Sequence, residues 1–269
     1  MKYALLLSLV FGSLLLINVS CNNDKPEENE TSGHISFSLT HLVDGLALQK
    51  DNMKYVNAAG NPYEINQVMY FISDVTLHKS DGTKKLISDW KDIHYVDIDI
   101  PETLNWDVYD DIPAGAYDSV SFIFGITGEK NKSFMFVNPP EVNMMWPDIL
   151  GGGYHYMMIN GSWKDNSNVI KSYAFHMGIG QLYKSNVIEV DSIYAFVQNY
   201  FNVKLSNSAF TVEENKTRHF EIIMNIDSWF KTPHIYDHNY WGGAIMQKQP
   251  AMQMVKENGF DVFQVGTIK

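Results

Sequence analysis

Residues 34–40 read HISFSLT and residues 118–127 read DSVSFIFGIT. In the first stretch Ile35, Phe37 and Leu39 fall on one face; in the second, Val120, Phe122, Phe124 and Ile126 do. A period of two marks strands with one buried face. TRHFEIIMNID, residues 217–227, repeats the pattern with Phe220, Ile222 and Met224. Further strands are expected at 67–77, 154–163, 170–178 and 193–205. IHYVDIDI, residues 93–100, changes phase between Tyr95 and Ile98, which predicts a bulge or an edge. Turn signals at Ser80-Asp81-Gly82, Pro113-Ala114-Gly115, Asn160-Gly161 and Asn207 separate the strands. The expected fold is all-β, an antiparallel β-sandwich of immunoglobulin-like architecture. Fifteen Tyr and fifteen Phe suit strands. Residues 243–258 predict a short C-terminal helix with a left-handed stop at Asn258-Gly259, and 262–268 returns to the sheet. No repeat or linker divides 34–269, so one domain is expected there.

The chain begins MKYALLLSLVFGSLLLINVSC. One basic residue, an apolar run from Leu5 and small or aliphatic residues before Cys21 have the form of a bacterial lipoprotein signal over residues 1–20. Its removal leaves Cys21 as the lipidation site, a thioether carrying fatty-acyl chains such as palmitate. A membrane span would need about 20 apolar residues and usually a basic cytoplasmic flank; here Asn22, Asn23 and Asp24 follow. The expected location is therefore the outer membrane, lipid-anchored, on its periplasmic face or at the cell surface. Residues 21–33, polar and acidic after the cysteine, read as a flexible tether. Cys21 is the only cysteine, so no disulfide is expected.

A net charge of −11 argues against a nucleic-acid partner. P-loop, HExxH, GxSxG and EF-hand motifs are absent from the sequence, and no enzyme activity is expected. Asp97 with Asp99, and Asp107, Asp110 and Asp111 in a loop, offer oxygen ligands to a hard cation, but read first as solvated acids. The most unusual region is 143–178, which reads NMMWPDILGGGYHYMMINGSW, then a polar turn, then KSYAFHMG. Thioether and imidazole suit copper, Cu(I) above all. From spacing alone, Met and Trp on strands read first as core.

The order of several pieces resembles the MbnP-like copper-binding protein family. They are HLVDGLALQ at 41–49, VMYFISDVTLHKSDG at 68–82, PAGAYDSVSFIFGI at 113–126, MMWPDILGGGY at 144–154 and FHMG at 175–178. The resemblance implies a β-rich protein that binds copper through histidines and a tryptophan oxidised to kynurenine by a di-haem peroxidase-like partner. Carried over, His41 matches the histidine of the first motif, His176 that of the H-x-G motif, and Trp146 the tryptophan after the methionines. His238 is added as a third candidate ligand, with His234 as its alternative. Many relatives have a second tryptophan where this chain has Asp148, which places the kynurenine chemistry in question. The competing reading is a metal-free surface module for sugars or another envelope protein. Its mark is an exposed aromatic platform built from Trp106, Tyr109, Tyr240 and Trp241. A Ser-His-Asp hydrolase is the third reading.

Overall fold

The computed structural model describes residues 31–89, 92–185 and 187–269. The leader and the lipidation site expected at Cys21 lie outside the described residues.

Strand Ser32–Val43 follows its sequence pattern: Ile35, Phe37, Leu39, His41 and Val43 are buried along one face. It pairs in parallel with Thr217–Asn225, from His34 opposite Thr217 to Leu42 opposite Asn225. That strand pairs antiparallel with Phe263–Ile268. Short strands at Leu46–Ala47, Asn105–Asp107 and Ile112–Pro113 also pair with the first strand and complete a six-stranded sheet. Among the paired strands of the described residues this pair alone is parallel, within sheets that are otherwise antiparallel as expected. A parallel pair requires a long crossover, and here the whole second sheet supplies it.

The second sheet has eight strands. Its path runs Ile170–Met177, Met157–Lys164, Pro62–His78, Ser119–Phe124, Phe201–Lys204, with Tyr55–Val56, Lys84–Leu86 and Ile93–Asp97 also bonded to the central strand. Val68, Tyr70 and Ile72 face the first sheet. The Tyr70 ring lies 5.8 Å from Phe124 and 6.2 Å from Phe263. Trp229 lies 5.1 Å from Phe124 in the same interior. Two sheets with an aromatic interior form the expected all-β sandwich.

The other face of the large sheet is covered by the segment between Phe124 and Met157. Phe136 stacks on Phe71 at 5.6 Å and 5°, and Tyr154 meets the same ring edge-on at 6.3 Å. Burying these rings gives the segment an apolar reason to lie down. This cover, laid over the sheet, positions the candidate site.

Several expectations change in detail. Asn160-Gly161 lies inside strand Met157–Lys164, opposite a bulge at Asn66 of the central strand, and is not a turn. A Cβ on Gly161 would sit 2.0 Å from the Glu64 carbonyl oxygen, so close strand approach requires the glycine. Residues 193–205 divide into Ile193–Val197, a hairpin partner of Gly180–Tyr183, and Phe201–Lys204 in the large sheet. The C-terminal helix spans Gln249–Asn258, preceded by the four-residue helix His238–Trp241. Gly259 is right-handed at φ −64° and continues into a 3₁₀ turn, so no left-handed stop forms.

Two of the acidic residues are not solvated. Asp97 is buried and accepts the Tyr95 hydroxyl and the Asp99 amide, each at 2.9 Å. Asp110 is fully buried; it accepts the Ser88 and Asp89 amides and pairs with Lys85 at 2.9 Å. Both are tied to local structure. Among the described residues no group of three His, Cys, Asp or Glu converges as a metal site.

Candidate metal centre

The predicted ligands do not converge. Residues directly opposite in a sheet share a face. Tyr70, Met157 and Met177 form one row, facing the interior of the sandwich. Met69, Met158 and His176 form the neighbouring row, which faces outward. His41 approaches the sheet from the interior side, its Nε2 3.1 Å from the Tyr70 hydroxyl. His41 and His176 are thus on opposite faces of one sheet. His41 is on an interior-facing position of its strand because 41 continues the parity of 35, 37 and 39.

His238 is also on the interior side. Its ring sits 4.6 Å from Tyr173, 5.0 Å from Tyr236 and 5.5 Å from both Trp163 and Phe230. Both ring nitrogens are buried without a hydrogen-bond partner. The aromatic faces leave no approach for an ion, so His238 is a core residue here. His234 pairs with Glu257 near the surface.

The outward face assembles a different set. Trp146 is fully buried and its indole N–H donates to the Leu150 carbonyl at 3.1 Å. The His155 ring meets it edge-on with centroids 4.6 Å apart. The His176 ring meets His155 edge-on at 5.1 Å and 87°. Trp146 and His155 of the cover segment and His176 of the sheet beneath therefore form one aromatic and imidazole cluster.

Local backbone chemistry delivers these groups. Gly151, Gly152 and Gly153 all have positive φ, at 114°, 68° and 79°, a conformation open to glycine at little cost. The run reverses the chain after the 3₁₀ turn Asp148–Leu150 and aims Tyr154 and His155 at the sheet. Gly178 continues the outward row beyond His176. A Cβ there would come within 2.5 Å of Trp146 Cε3, so the indole lies flat on bare backbone.

Hydrogen bonds fix both tautomers. His155 Nδ1 lies 2.9 Å from the Met144 carbonyl, which can only accept, so Nδ1 carries the hydrogen. Nε2 then holds the lone pair, and it is buried with no partner. His176 Nε2 lies 2.8 Å from Asn160 Oδ1, while the Asn160 amide nitrogen donates to Gln67 Oε1 at 2.9 Å. This chain assigns the hydrogen of His176 to Nε2 and the lone pair to Nδ1. Burial lowers the pKa of His155 to about 4 and that of His176 to about 3, the neighbouring imidazole adding to the second shift. Both rings are neutral at pH 7.

An unpartnered buried acceptor costs about 1–3 kcal/mol. A soft metal ion bound to His155 Nε2 and His176 Nδ1 would relieve that cost. The residues present therefore fit a soft cation, with two neutral imidazoles from different chain segments and thioethers close by. His155 was missed in the sequence because no motif marks it. Its available signal was the glycine run immediately before it.

The comparison with curated proteins gives no match. Among solved structures, "MbnP from Methylosinus trichosporium" shares the fold with a TM-score of 0.55 at 14% sequence identity, over 87% of this chain and 98% of that one. The family model described as MbnP matches residues 32–247, which include Trp146, His155 and His176 together with the strands that carry them, and the chain belongs to the MbnP family.

Proposed function

We propose that this protein binds copper as Cu(I), held by His155 and His176 beside Trp146, and that it does so in the bacterial envelope, anchored by lipid at Cys21. The observation that carries the reading is the buried, unpartnered Nε2 of His155 in a ring 5.1 Å from that of His176. Family membership supports copper as the cargo.

Each residue has a defined part. The Met144 carbonyl and Asn160 hold the N–H side of the two rings, so each lone pair is pre-set before an ion arrives. Burial keeps both imidazoles unprotonated. The indole of Trp146 closes one side against water. The role is acquisition or storage, and no catalytic step is assigned to any residue. Trp146 is also the tryptophan on which we place the kynurenine modification, made by a di-haem peroxidase-like partner; Asp148 does not contribute to it.

The test is metal analysis and intact mass on protein purified from its own envelope. Copper near one equivalent per chain, lost in His155→Ala and His176→Ala, supports the reading. Full-length folded protein that takes up no Cu(I) on reconstitution overturns it. An unmodified mass with copper bound removes the kynurenine and leaves the imidazole site.

A further inference from the structure

The outward row of the large sheet holds more than His176. Met158 is directly opposite His176 on one side and directly opposite Met69 on the other. Directly opposed residues have Cβ atoms about 4.5–5.5 Å apart. Two thioethers thus stand in line, on one face, beside the His176 imidazole, whose Nδ1 carries the lone pair. Both methionines are only partly buried, unlike Met157 and Met177 of the interior row, which are fully buried. Next along the row, opposite Met69, is Asp97, whose carboxylate is already engaged with Tyr95 and the Asp99 amide.

Packing alone explains the interior pair better than the outward pair. The interior methionines fill the sandwich. The outward ones sit at partial exposure on the row of His176, whose ring lies 5.1 Å from that of His155 with its unpartnered Nε2. We propose that the Met158 sulfur is a third ligand to the ion held by His155 and His176, and that Met69 is the thioether through which the ion approaches. This rests on the copper reading above. A two-imidazole site alone also accepts Zn(II) and Cu(II); a thioether biases it toward Cu(I) and Ag(I). The ligand class is therefore a soft monovalent cation, and the methionines supply the selectivity.

The test uses the full chain with Met158→Leu, Met69→Leu and the double variant, changes that keep volume and apolar character. Thermal unfolding confirms that each is folded. Cu(I) affinity is read by competition with a chromophoric chelator, Zn(II) affinity by the same method, and the copper shell by X-ray absorption. The expected result is a copper–sulfur shell in the wild type that Met158→Leu removes. Cu(I) affinity should fall about tenfold or more in that variant with Zn(II) affinity unchanged. Met69→Leu should slow Cu(I) uptake and leave its equilibrium affinity within about twofold. A nitrogen-only shell in the wild type, with Cu(I) affinity unmoved by Met158→Leu, overturns the thioether ligand while leaving the imidazole site standing. Cu(I) binding that survives His155→Ala and His176→Ala overturns both.

Discussion

His155 and His176 meet edge to face with ring centroids 5.1 Å apart, one from the cover segment and one from the sheet beneath it. If this pair is the ion site, either alanine substitution should reduce Cu(I) affinity by more than the ~10–100-fold that losing an outer-shell partner costs. His41→Ala should leave Cu(I) affinity unchanged, because His41 is on the other face of the sheet. Chelator competition on the three variants checks this. A loss with His41→Ala equal to the others would return the site to the interior.

Asn160 touches no ion but fixes the His176 tautomer through its 2.8 Å contact. Asn160→Ala should weaken Cu(I) binding about 10–100-fold while shifting stability little, since the side chain is near the surface. Nitrogen-15 shifts of the His176 ring would read the tautomer directly. Wild-type affinity together with a mixed tautomer would show that pre-setting does not matter.

Gly178→Ala would place a methyl 2.5 Å from the Trp146 ring. Overpacking of this kind costs about 1–3 kcal/mol. The expected readout is a lower denaturation midpoint together with altered near-UV circular dichroism from a displaced indole. An unchanged spectrum would mean that the indole is not seated on that backbone.

Acid should destabilise the fold through two histidines outside the proposed site. Burial lowers both His41 and His238 from 6.5 to about 4, with Asp237 opposing the shift at His238. In each case the unfolded chain binds the proton first. Stability is therefore complete above about pH 6.5, falls as pH drops below that, and levels off under pH 4 as far as these groups are concerned. Each buried ring contributes up to about 3 kcal/mol across that window. His238→Leu removes one of them. Its two unpartnered nitrogens disappear with no partner left behind, so the variant should be near neutral at pH 7.5 and less acid-sensitive than the wild type. Urea denaturation at several pH values between 4 and 7.5 checks both statements.

Asp110→Asn should cost about 3–5 kcal/mol, because it leaves Lys85 without its buried partner. Cu(I) affinity should not move. Thermal unfolding and chelator competition separate the two effects.

The sandwich was legible because alternation survives any tertiary context that buries one face. Ile35, Phe37 and Leu39, or Phe220, Ile222 and Met224, have no other way to share a side. Local exceptions were not legible. Gly161 looks like a turn until Glu64 and Tyr173 are seen to press on it. The phase change after Tyr95 marks the end of the strand at Asp97, and the residues themselves do not distinguish that from a bulge. For the site, Trp146 and His176 were readable from their neighbours, but which face each residue takes depends on register between distant strands. Parity within Ser32–Val43 puts His41 among apolar side chains, and that fact was already in the sequence. The aromatic box around His238 was not, since Trp163, Tyr173, Phe230 and Tyr236 come from separate segments of the chain. His155 stayed hidden because its role depends on the Met144 carbonyl, a backbone group that no sequence pattern announces.

The parallel pairing of Ser32–Val43 with Thr217–Asn225 has an effect on the order of assembly. Strand Ser32–Val43 cannot find its parallel neighbour until the chain has been made through residue 225. Closing so large a loop is slow, and until it closes the apolar edge of the first strand remains open. A stretch of newly made protein in that condition is a natural client for a chaperone. Truncation before residue 217 should yield a species that stays bound to one instead of a smaller folded core.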